Sequence, residues 1–140
     1  MTLEFKNVGL IKISPKMRYE QAYTGANGVQ YIGDDSFIIE NTKKMSLMIP
    51  IDIEHHSLYN SDWNVIGFIK TNSLVALEDG IYGEMYLSTS TDNVNYTGLS
   101  PVYSSKEIDN FKLVQVIDSV TFTENENFCE LSFDRQDCVI

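Results

Sequence analysis

The sequence predicts an all-β domain, and three observations carry that prediction. Period-two alternation of apolar and polar side chains dominates the chain, and β-branched and aromatic residues fill the alternating runs. Turn residues punctuate those runs at the short interval that a sandwich or barrel uses. No amphipathic stretch of helical length competes with them. The expected fold is therefore a single antiparallel β-sandwich, jelly-roll or immunoglobulin-like, with at most one or two short helices. With 140 residues and 43% hydrophobic content, the chain suits one domain spanning 1–140 around one core, since two cores would be cramped.

Taken in order, Leu3 and Phe5 alternate with Glu4 and Lys6, and Leu10 to Ile13 continues as a short apolar run. Ser14-Pro15 breaks that strand; Ser14 as cap and Pro15 at the first helical position would open a brief helix through Gln21. Asn27-Gly28, between Tyr23 and Tyr31, is a hairpin signal because both turn residues tolerate positive φ. Gly33-Asp34-Asp35 turns the chain into a strand at Phe37-Ile-Ile-Glu40. Thr42-Lys43-Lys44 leads to the clearest strand, with Met45, Leu47, Ile49, Ile51 and Ile53 on one face and Ser46, Met48, Pro50, Asp52 and Glu54 on the other. Pro50 cannot donate to a ladder, which places this strand at an edge or gives it a bulge.

His55 to Asn64 reads as a polar loop carrying Tyr59 and Trp63. Val65 to Ile69 and Leu74 to Leu77 read as strands, and Glu78-Asp79-Gly80 as a turn. Tyr82 to Ser90 alternates with Met85 and Leu87 inward. Phe111 to Phe122 is almost continuously apolar, as a central strand should be. Glu124 to Asn127 turns it into a last strand, Phe128 to Phe133.

Charge excludes whole classes of partner. Ten basic against twenty acidic side chains give a net charge of −10, which repels phosphate backbones and anionic bilayers, so neither nucleic acid nor a membrane is an expected partner. The imbalance is uneven: residues 1–70 hold 7 basic and 8 acidic side chains, residues 71–140 hold 3 and 12. An acidic face either keeps edge strands apart and soluble or meets a basic surface. Met1 to Asn7 lacks a basic segment followed by an apolar run, so no export signal is expected and synthesis is expected in the cytoplasm. Cys129 and Cys138 then read as reduced, packed thiols.

Catalytic chemistry finds little footing. Asp52, Glu54 and His56 fall on one strand face at period two, a spacing that could form a facial metal site; a solvated outer face beside a loop explains the same residues, and no metal is expected. Asp34-Asp35 reads as a capped turn because it lacks the alternating oxygen ligands of a Ca²⁺ loop. No nucleophile elbow, phosphate loop or dinucleotide fingerprint occurs. No catalytic residue and no cofactor are expected, and the chain is read as a non-enzyme. Asn95-Tyr96-Thr97 spells a glycosylation sequon, read as chance without an export signal. The better lead is aromatic: Tyr23, Tyr31, Tyr59 and Trp63 lie in or beside turns, where a ring supplies contact area while its polar atom stays wet. These four are the candidate binding residues; capping the ends of the core is the plainer use for them.

Tyr86 to Leu99 is similar to the strand–turn–strand with a Ser-x-Asp-Gly-x-x-aromatic centre of many bacterial and phage β-sandwich modules. The matching positions are Ser90, Asp92, Asn93 and Tyr96, with Asn93 standing where glycine is usual. An Asx-type turn accounts for this, since Asn tolerates the left-handed conformation. The resemblance covers about 14 of the 140 residues. It implies a structural or binding module in a larger assembly, above all a phage virion protein of the capsid-decoration or tail class. Protein partners, themselves capsid or tail subunits or further copies in a homo-oligomer, would follow, with localisation to the virion. Two other readings stand beside it: a carbohydrate-binding module using the loop aromatics, and an acidic inhibitor of a basic host protein.

Overall fold

The computed structural model describes residues 4–16, 22–24, 30–32, 35–53, 65–88, 96–109, 112–123 and 129–130. Its elements in chain order are β1 (Phe5–Pro15), β2 (Ala22–Thr24), β3 (Gln30–Ile32), α1 (Asp35–Met45), β4 (Met48–Ile53), β5 (Gly67–Lys70), a 3₁₀ turn (Thr71–Ser73), β6 (Val75–Leu77), β7 (Gly80–Ser88), β8 (Gly98–Asp109), β9 (Lys112–Thr123) and β10 (Cys129–Glu130). The mostly β character read from the sequence is therefore present. Its arrangement differs from the expected antiparallel sandwich: the described strands form one connected sheet in the order β1-β7-β5-β4-β9-β3-β2, with β8 also on β9, β10 on β8 and β6 on β7. Both β3 and β4 run parallel to β9, so the sheet is mixed. It curls into a half-barrel, bringing β1 round to β8, where the hydroxyls of Ser14 and Tyr103 hydrogen-bond.

The apolar run expected to be central is so. β8 pairs along β9 from Lys112 to Thr123. On the opposite edge, β3 takes Lys112 to Val114 and β4 takes Val120 to Phe122. Between them α1 packs on β9, and the buried Thr42 side chain supplies what a strand would have supplied: its Oγ1 accepts a hydrogen bond from the Ile117 amide at 3.1 Å. A buried amide without an acceptor is costly, so α1 is part of the ladder's hydrogen bonding as well as of the core.

Phe37 to Glu40, expected as a strand, belongs to that helix. Ile38, Ile39 and Thr42 are buried on it at helical spacing, Asp35 stands in its first turn, and Lys43 and Lys44 in its last, as the helix dipole favours. Glu40 and Lys44 pair at i,i+4, 3.4 Å apart. The following strand consequently begins at Met48 rather than Met45, and Met45 and Leu47 are exposed while Ile49, Ile51 and Ile53 are buried as expected. The helix expected to open at Ser14-Pro15 is absent there: β1 runs through Pro15, which pairs with Gly80, and the Ser14 hydroxyl donates to the Pro15 carbonyl instead of capping a turn. The rest of that expected helix, 17–21, lies outside the described residues. Pro50 pairs with Phe68 of β5, and β9 joins β4 only from Ile51 onward, so the proline occupies a half of the strand that is locally an edge.

The inner face of the curl is the core: Ile11 and Ile13 of β1, Ile51 of β4, Ile69 of β5, Met85 and Leu87 of β7 and Phe122 of β9, closed at one side by Ile38 and Ile39 of α1. Full burial of each such side chain is worth about 1.5–3 kcal/mol. Gly80 is required by its position: φ is +153°, and a Cβ there would collide with the Ser14 carbonyl oxygen of β1. It follows Glu78-Asp79 in the tight β6–β7 turn that the sequence predicts.

Candidate functional site

The alternation that buries isoleucines on the inner face sends a second set of side chains outward. Cross-strand pairing aligns Pro50 with Phe68, Phe68 with Tyr86, and Tyr86 with Asn7. Residues directly opposite share a face, so these four form one outer row across β4, β5, β7 and β1. Phe5 packs edge-on to Phe68, centroids 5.2 Å apart at 67°. Phe68 stacks on Tyr86, 5.0 Å apart at 10°. The Lys70 ammonium sits 4.7 Å from the centre of the Tyr86 ring. The Tyr86 hydroxyl donates to Glu84 Oε1, and Asn7 Nδ2 donates to the same oxygen at 3.0 Å. Hydrogen bonding to Tyr86, with the electrostatic attraction of Tyr86 and of Glu84, holds the Lys70 ammonium above its usual pKa against the opposing effect of desolvation. The cation is thus fully charged at neutral pH.

Beside these rings lies a groove of about 380 Å³, lined by Phe5, Phe68, Met48, Pro50, Val65 and Leu47, with Gly67 and Ser46 completing it. Gly67 is needed because a Cβ would collide with the Tyr86 carbonyl oxygen and so push β5 off β7. The lip of the groove is the corner between α1 and β4, and that corner is pinned. Ser46 donates its amide to the Thr42 carbonyl at 3.1 Å and its hydroxyl to the Met48 carbonyl at 2.6 Å. Thr71 Oγ1 donates to the Ser46 carbonyl at 2.7 Å, and the Thr71 amide to the Leu47 carbonyl at 3.1 Å. Held this way, Leu47 is 85% exposed and Met48 51%. Four hydrogen bonds fix a corner whose most prominent side chain is apolar and wet, so the exposure belongs to the fold itself.

A second outer feature is buried. Asp52 on β4 stands opposite Thr121 on β9, which stands opposite Ser100 on β8. All three are almost fully covered. The solvated outer face expected around Asp52 is thereby corrected: Asp52 lies inside a polar row on a central part of the sheet. Glu54 and His56, its expected companions, lie outside the described residues. Among the described residues no group of three or more His, Cys, Asp or Glu side chains could hold a metal ion.

The sequence-predicted binding residues fare unevenly. Tyr23 and Tyr31 are brought together as direct cross-strand partners in β2 and β3, as the hairpin reading expects. Tyr59 and Trp63 lie outside the described residues, as do Asn27-Gly28 and Ser90 to Asn95. The groove residues were not singled out by sequence. Their signal was present in the off-phase of the clearest strand, where Met48 and Pro50 stand on a face otherwise polar, and in Phe68, which shares that face. No helix is long and apolar enough to cross a membrane among the described residues.

Comparison with protein-family models, with curated proteins and with solved structures yields no match to this chain. The outer face therefore has to be interpreted from its own chemistry. Phe68 and Tyr86 turn their faces to each other, and Lys70 lies over Tyr86, so these rings do not offer free faces on which a sugar could stack. The groove and its leucine offer apolar area instead.

Proposed function

We infer that the chain is a non-enzymatic binding module that works inside a larger assembly, with the outer-face groove as its docking surface. The observation that carries this reading is Leu47, held almost fully exposed on a hydrogen-bonded corner at the lip of an apolar groove. Covering a leucine is worth about 1.5–3 kcal/mol, and contiguous exposed apolar surface of this kind marks interaction sites. A partner laid on this face would supply the second layer that a sandwich needs. The resemblance around Ser90, Asp92, Asn93 and Tyr96 points the assembly toward a phage virion, as a capsid-decorating or tail component.

The test is sedimentation of the native protein from its source, beside a Leu47→Asp variant. The unaltered chain should travel with a large particle, and the variant should be released from it at unchanged thermal stability. A wild-type chain that travels alone at 15.9 kDa, or a variant that stays in the particle, would refute the reading.

A further inference from the structure

The groove is edged with cations. Lys70 stands directly opposite Met48 on the same face, and Lys43 and Lys44 occupy the last turn of α1, just before Ser46 and Leu47. Lys44 is engaged by Glu40 and Lys70 lies over the Tyr86 ring, a contact that leaves its positive charge uncancelled, so Lys43 and Lys70 are the nearer cations for an incoming carboxylate. These lysines belong to the less acidic half of the chain. The other half carries a surface of opposite character. The β6–β7 hairpin turns at Glu78 and Asp79, and ahead of that turn Val75 and Leu77 are 37% and 45% exposed. One chain thus presents an apolar hollow beside lysines and an apolar projection beside carboxylates.

We propose that the groove of one copy receives the β6–β7 hairpin of a second copy, with Leu77 covered against Leu47 and Met48, and Glu78 facing Lys70 and Lys43. Asp79 is already held by Lys12 and Tyr82, so Glu78 is the carboxylate available for the contact. The two surfaces are different parts of the chain. The contact is therefore heterologous and propagates from copy to copy, closing into a ring or extending as a filament according to its rotation. A hollow of about 380 Å³ matches a hairpin tip better than a broad globular face. An anionic bilayer is the poorer occupant, because it offers no apolar projection flanked by a single carboxylate to seat in the hollow, as the Leu77–Glu78 tip of a second copy does. The proposal rests on the groove being an interface and names what fills it.

Sedimentation velocity on the purified full chain, at low ionic strength and rising concentration, tests it. The mean mass should climb with concentration and fall back when salt is added, as charged rims are screened. Leu47→Asp and Leu77→Asp should each return the chain to monomer with an unchanged thermal midpoint. Mixed in equal amounts, the two variants should form dimers and nothing larger, because each pair retains one intact hollow and one intact hairpin. Glu78→Lys should weaken association about tenfold, and adding Lys70→Glu to it should restore most of the loss; the pair serves as the check if an aspartate variant fails to fold. A purified chain that stays monomeric at every concentration overturns the proposal. So does a mixture that forms no dimer, or a monomer that instead pellets with phosphatidylserine vesicles. If Leu47→Asp still releases the chain from its native particle, the groove remains an interface for another partner; if it does not, the underlying reading falls too.

Discussion

At the scale of single residues, the least replaceable contacts are those where a side chain stands in for backbone. Thr42 is the plainest case, because its hydroxyl oxygen takes the hydrogen bond that β9 cannot give to a strand at Ile117. Thr42→Val keeps the shape and removes the acceptor, so it should cost about 1–3 kcal/mol, the penalty for an orphaned buried amide, measured by urea denaturation. Asp79 makes a different prediction. Burial alone would raise its pKa, but hydrogen bonds from Tyr82 and Lys12, its own backbone amide and the Lys12 charge outweigh that and hold it below the usual carboxylate value. A lowered folded-state pKa means this carboxylate stabilises the hairpin above its unfolded pKa and loses that effect as pH falls through the lower folded value. Carbon-detected NMR titration should show Asp79 titrating below ordinary aspartates, and Lys12→Ala should move it upward.

At the scale of elements, strands were far more legible than the helix. Alternation placed β7 and its buried Met85 and Leu87, and the unbroken apolar run placed β9 at the centre, because each pattern reflects how many sides of a strand are covered. Phe37-Ile-Ile misled for a physical reason: β-branched residues favour strands in isolation. Here Ile38, Ile39 and Thr42 share a helical face that β9 needs filled. Of the long strand β8 the sequence signals only the start, in the strand–turn–strand that ends at Leu99, since Ser100, Pro101 and the polar stretch from Ser104 to Glu107 break both alternation and hydrophobicity. Its order comes from pairing with β9 along twelve residues. The groove was missed for a related reason, because it is assembled by register across three strands, and register is not written in any one of them. If α1 is integral to the core, Ile38→Ala should cost about 2–5 kcal/mol, seen as a fall in denaturation midpoint. Gly67→Ala should destabilise comparably or abolish folding, since its methyl meets backbone rather than a yielding side chain.

At the scale of the whole molecule, charge and shape act together. A net charge of −10 opposes indiscriminate association at neutral pH, leaving only aligned contacts able to offset it, and protonation toward the pI near 4.4 removes that repulsion. Light scattering across a pH series should therefore show a solubility minimum near that pH, with the exposed apolar corner free to associate. Leu47→Asp should move the minimum downward and make it shallower.

The joining of β3 and β4 to one edge of β9, with α1 wedged between them, also has a temporal meaning. The residues of β9 that α1 and β4 lean on are synthesised about 69 to 75 positions after them, so on a ribosome adding about 5–20 residues per second they wait several seconds for their support. Such distant pairings close slowly even in a finished chain. A nascent chain halted before Lys112 should accordingly be cut by protease throughout α1 and β4, whereas one extended past Thr123 should resist.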